Sequence, residues 1–96
     1  MDNQLSLCAQ IKTADPIRYT PAGLPVLTLW LSHESWQNEL GERYLAKMEM
    51  EAKLMGEAAL SWQHRQGSMV RVSGFLAQKG RRYPRPVLHI QQIYEI

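Results

Sequence analysis

The sequence holds a single cysteine, Cys8, and a lone thiol cannot build an internal disulfide framework. That fits a reducing compartment, and the cytoplasm is the expected location. No apolar run approaches the ~18 residues of a membrane span, and MDNQLSLCAQ lacks a basic n-region, so neither a membrane nor a secretory route is expected. Charge of one sign is scarce as well. Eleven Lys and Arg against nine Asp and Glu leave +2, so any anion-binding surface must come from local clustering. Reactive motifs are missing: GxSxG, a Walker loop and GxGxxG are all absent. His33, His64 and His89 lie far apart, and none stands in a metal spacing or beside a second cysteine. No enzyme, metal or cofactor is therefore expected. His33 and His89, near predicted strand ends, read as structural.

What is present is alternation. In YLAKMEMEAKL, Ala46, Met48, Met50, Ala52 and Leu54 take every second position, with Lys47, Glu49, Glu51 and Lys53 between them. Propensity favours a helix for these residue types. Only a strand, however, collects the apolar groups on one face; a helix scatters them around its cylinder. A buried face outweighs a few tenths of a kcal/mol per residue of propensity, so Tyr44–Leu54 is expected to be a strand with Met48, Met50 and Leu54 pointing inward.

Four more segments behave in the same way. Leu5, Leu7, Ala9 and Ile11 alternate in a first strand; Leu27, Leu29 and Leu31 do so in a second. Between them ADPIRYTPAGLP is a loop marked by its prolines and Gly23. HESWQNELGER is polar and reads as the connection into the third strand. After Gly56, EAALSWQHRQG fits one or two helical turns. SMVRVSGFLAQ is a fourth strand in which Gly74 marks a bulge or bend, KGRRYPRP a loop, and VLHIQQIYEI a fifth strand. Ninety-six residues with 45% hydrophobic content suit one domain, residues 1–96, with a single core. Five strands with a short helical segment between the third and fourth are the order of an all-β OB-fold barrel. The competing arrangement is an α+β sandwich with residues 44–64 as one long helix.

The densest charge lies in KGRRYPRP, where Lys79, Arg81, Arg82 and Arg85 place four cations in seven positions around Tyr83. Cations at backbone spacing suit phosphates, and a flat ring suits a base. In an OB-fold the loop between the fourth and fifth strands borders the ligand groove. Arg18 and Tyr19 either border the same groove or are plain loop residues. Trp30, on the face opposite Leu27, Leu29 and Leu31, is either a stacking platform or covered at a subunit contact. Lys47 suits phosphate contact and simple solvation equally. Trp36 and Trp62 read as caps on the barrel ends. Met48, Met50, Met55 and Met69 read as core, and Glu49 and Glu51 as a solvated face compensated by Lys47 and Lys53.

Several short pieces occur in a characteristic order: NQLSL, PAGLP, LSHES, ELGER, SGF and VLHIQQI, spread over nearly the whole chain. In these the sequence resembles the primosomal replication protein N (PriB) family, small bacterial relatives of single-stranded DNA-binding proteins. The resemblance implies an OB-fold homodimer that binds single-stranded DNA and helps the primosomal helicase PriA reload the replicative helicase at stalled forks. It places the family's basic loop on Lys79 to Arg85, shorter here and richer in arginine. The family's strand-three tryptophan, which stacks on bases, falls on Lys47, and a basic position after LSH falls on Glu34. With those departures the resemblance implies a weak binder that leans on its protein partner. A second class of function stays open: an OB-fold protein-interaction module with little DNA binding of its own, its basic loop meeting acidic protein.

Overall fold

A computed structural model describes all 96 residues. The alternation over Tyr44–Leu54 folds as part of a strand. The elements run β1 (Leu5–Ala14), β2 (Arg18–Tyr19), β3 (Pro25–Glu39), β4 (Glu42–Met55), α1 (Glu57–Trp62), β5 (Met69–Gly80) and β6 (Tyr83–Glu95). Strand order is β1-β5-β6-β4-β3, and β1 pairs back onto β3, so five strands close into an OB-fold barrel. The two-residue β2 adds only a short pairing of Arg18 and Tyr19 with the start of β3.

Closure depends on two irregularities. β1 pairs with β5 through Gln10 and with β3 from Gln10 onward, and its register slips at Lys12. One extra residue bends the strand and lets it serve both neighbours. The second slip lies between Ser73 and Gly74 opposite β6, at the position where sequence predicts a bulge or bend. A Cβ on Gly74 would stand 1.8 Å from the His89 carbonyl oxygen. Only glycine allows the two backbones so close.

Inward faces fill the barrel as the alternation requires. Leu27, Leu29 and Leu31 lie opposite Leu54, Ala52 and Met50 across the β3–β4 ladder. They pack with Ile11, Val70, Val72 and Leu88, all buried. Each such side chain contributes roughly 1.5–3 kcal/mol by leaving water. The helical turns follow Gly56, whose φ of 82° suits glycine at the strand-to-helix corner. α1 brings buried Ala59 and half-buried Trp62 against the core, so Trp62 does cap the barrel.

Several expectations need correction. HESWQNELGER is not a connection: β3 and β4 pair without interruption out to Glu39 and Glu42, joined by Leu40 and Gly41 at φ 53° and 80°. Two central residues with positive φ form the tight hairpin turn that matches strand twist. Beyond Ser32, the last β3 residue paired to β1, this ladder has no third strand and forms a projecting arm. Its length is about 20 Å at the usual rise per residue, and it helps stretch the molecule to 50 Å along its longest axis. Met48 and Trp36 therefore sit on the arm, exposed, and not in the core or over a barrel end. Met55 and Met69, at the end of β4 and the start of β5, are exposed and not core either. KGRRYPRP is likewise mostly strand: β5 and β6 pair up to Gly80 and Tyr83, leaving Arg81 and Arg82 as the turn. Finally, Glu51 is not a solvated residue. It is 6% exposed.

Candidate nucleic-acid interface

The outward face of the β3–β4 ladder carries every second residue: Trp30, Ser32, Glu34 and Trp36 on β3, opposite Glu51, Glu49, Lys47 and Leu45 on β4. The arm thus continues, without a twist of register, the same face that begins on the barrel wall at Trp30. On the barrel this face is bordered by the β5–β6 hairpin.

Two ion pairs organise it. Lys12, the bulge residue of β1, reaches Glu49 at 2.6 Å, across β3. Lys79 at the end of β5 meets Glu51 at 3.0 Å, and its ammonium lies 5.2 Å from the Tyr83 ring centroid. The carboxylates are therefore compensated from other strands, and not by the neighbouring Lys47 and Lys53. Covering Glu51 with Lys79 and Tyr83 pins the turn end of the β5–β6 hairpin against β4. The Glu51 pair, one partner buried, holds more firmly than the exposed Lys12 pair.

The eight residues read from sequence as nucleic-acid contacts separate into four groups. Trp30, Tyr83 and Arg85 come together and line one cleft of about 290 Å³. Arg18 and Lys79 line a second of about 270 Å³, joined there by Tyr19 and Lys53. Lys79 stands at the border of the two, since its carboxylate partner lines the first. Arg81 and Arg82 form the exposed hairpin tip, and neither they nor Arg18 and Arg85 has an acidic partner within 4.0 Å. Lys47 is exposed on the arm, directly opposite Glu34, outside both clefts.

Sequence reasoning missed Trp36, Arg43 and Lys53. The Arg43 guanidinium lies 4.3 Å from the Trp36 ring centroid, and Trp36 keeps 59% of its surface exposed. This pair stands six residues along β3 from Trp30, about 20 Å at strand rise. A stacked Arg presents charge beside an aromatic face, the combination that meets phosphate and base together. The available signal was the alternation of Trp36 and Asn38 across Gly41 from Arg43 and Leu45. The histidines carry no such signal and none is called for. His33 bonds the Cys8 carbonyl and the Ser35 hydroxyl at 2.6 and 2.7 Å, and His89 stacks on Phe75 at 4.8 Å. Both are structural, as expected.

Known proteins share this architecture. A family model described as another single-strand binding protein family matches residues 3–92. The replication restart protein PriB of Neisseria meningitidis serogroup B is 53% identical over 94 residues, covering 98% of this chain and 94% of its own. The solved structure of PriB from Ralstonia solanacearum superimposes with a TM-score of 0.88 at 28% identity, covering 99% of this chain and 98% of its own. Wild-type single-stranded DNA-binding protein from Thermus aquaticus shares the fold at a TM-score of 0.77 and 24% identity, with 98% of this chain matched to 50% of that one.

Proposed function

The chain belongs to the PriB family of replication restart proteins, and from that premise we propose that it binds single-stranded DNA across the outward β3–β4 face. The carrying observation is the convergence of Trp30, Tyr83 and Arg85 in one cleft beside an arginine tip with no acidic partner. Flat rings stack on bases of any kind, and the arginines Arg81, Arg82 and Arg85 hold phosphates. Arg18, Lys53 and Lys79 extend the cationic track on one side. Trp36 with Arg43, and Lys47 beside them, extend it along the arm. The strand of DNA runs from the hairpin, over Trp30, and out onto the arm. On this reading the protein acts as a binding accessory and not as an enzyme.

The same proposal includes three finer roles. Within the replication restart primosome the protein contacts the primosomal helicase PriA and other primosome proteins, aiding reloading of the replicative helicase. It works as a homodimer, which sets two such faces on one assembly. It does so in the cytoplasm. Exposed Tyr44 and Met48, on the arm face turned away from Trp30, supply apolar surface for protein contact. That observation also supports the second reading, a protein-docking module with weak DNA affinity. Titrating labelled oligo-dT at several salt concentrations separates the two. DNA binding across this face gives an affinity that falls steeply with salt, about 0.7 log units per contact per log unit of salt. An affinity for DNA too weak to saturate even at low salt moves the docking reading ahead.

A further inference from the structure

A carboxylate in a DNA-binding face repels phosphate, yet Glu51 occupies the middle of this one. It is also the one charged residue of the chain that is buried. Its Oε2 accepts from Lys79 at 3.0 Å, while Oε1 has only the Tyr83 hydroxyl at 3.5 Å, the long limit of a hydrogen bond. A buried ionised oxygen with one weak partner retains strong acceptor capacity. Glu51 lines the cleft of about 290 Å³ together with Trp30, Tyr83, Arg85, Pro86 and Glu49, whose own carboxylate is already paired with Lys12. The two rings give walls for one flat group, and Glu51 is among the residues that line the space between them.

We propose that this cleft takes a single nucleobase and reads its edge through Glu51, with guanine preferred. The inference rests on the single-stranded DNA reading above and adds to it one base-selective position. Guanine sets its N1–H and 2-amino donors side by side, so it alone converges two donors on the one open oxygen, Oε1. Adenine and cytosine each offer one amino group next to a ring nitrogen acceptor. Thymine offers one N–H between two carbonyl oxygens. In each of those three the neighbouring acceptor repels the carboxylate. Lys79 neutralises Glu51 through Oε2 and leaves Oε1 to the Tyr83 hydroxyl alone, so the acid near a phosphate strand is not an unpaired charge. Arg85 holds the phosphate of the inserted nucleotide.

The test uses the intact protein and oligo-dT carrying one central guanine, adenine or hypoxanthine. A homopolymer context lets the strand slide until the odd base finds the cleft. Guanine should bind about tenfold tighter than adenine, near the lower part of the range for a two-bond base contact. Hypoxanthine keeps the guanine ring but lacks the 2-amino group, and should fall close to adenine. In a Glu51→Gln variant shown by thermal melting to be folded, guanine and adenine should bind alike. Equal affinity for guanine and adenine in the parent overturns the inference, because the acid then only anchors the hairpin. So does a guanine preference that survives Glu51→Gln. Salt-dependent binding that ignores the base sinks this inference alone, whereas failure of every oligomer, plain oligo-dT included, sinks the DNA reading with it.

Discussion

At the scale of single residues, the outward face is decided by what Glu51 touches. Alternation assigns Glu51 to solvent, and on that reading a lysine there is harmless. The structure reverses this, because Lys79 and Tyr83 lie over the carboxylate. Glu51→Lys sets two ammonium groups together and detaches the turn end of the hairpin. It should lower stability by about 1–3 kcal/mol, read in urea unfolding as a fall in midpoint. An unchanged midpoint would mean that the ion pair holds nothing. Tyr83 enters the proposed binding mode differently, through a ring that stacks on a base and carries no charge. Tyr83→Ala should weaken oligo-dT binding by about 1–3 kcal/mol and leave the salt slope nearly unchanged. A fluorescence titration repeated at three salt concentrations reads both quantities.

At the scale of elements, the arm and the barrel obey different rules, and the sequence was legible only where a core exists. Leu27, Leu29 and Leu31 alternate because one side of β3 is buried, so the strand could be read directly. From His33 outward the same strand has solvent on both sides, burial no longer selects residue type, and the apolar alternation vanishes. HESWQNELGER therefore looks like a loop although it is paired throughout. The same cause hid Trp36 and Arg43, and it made Met48 look like core because its neighbours Met50 and Ala52 are. The basic segment was legible as charge, but its fold into two strands and a two-residue turn was not, since prolines and arginines carry no strand pattern. Glu51's burial could not be seen at all, because its cover comes from residues 28 and 32 positions later. One expectation belongs to the arm itself. Trp36→Ala removes no core contact and should leave the melting temperature within about a degree or two. It should nonetheless weaken binding of oligomers long enough to reach the arm by about 1–3 kcal/mol. Short oligomers confined to the barrel should not notice the change. Equal loss for long and short oligomers would place Trp36 elsewhere on the path.

For the whole molecule, one barrel of 11.1 kDa carries a cationic hairpin, an arm and exposed apolar groups at Tyr44, Met48 and Phe75. Pairing two copies covers apolar surface and offers one strand of DNA two basic tips. Sedimentation at micromolar concentration should give roughly twice the monomer mass. A clean monomer would restrict the protein to a single track. Net charge of +2 cannot itself draw DNA, so binding has to come from the few placed cations. The most direct test is the salt dependence of oligo-dT affinity for an Arg81→Ala, Arg82→Ala double variant beside the parent. With both hairpin-tip arginines on phosphates, the log–log slope should flatten by roughly one to one and a half units, and affinity should fall alike for every sequence. A double variant that binds with the parent's affinity and the parent's slope would show that the DNA does not pass this hairpin.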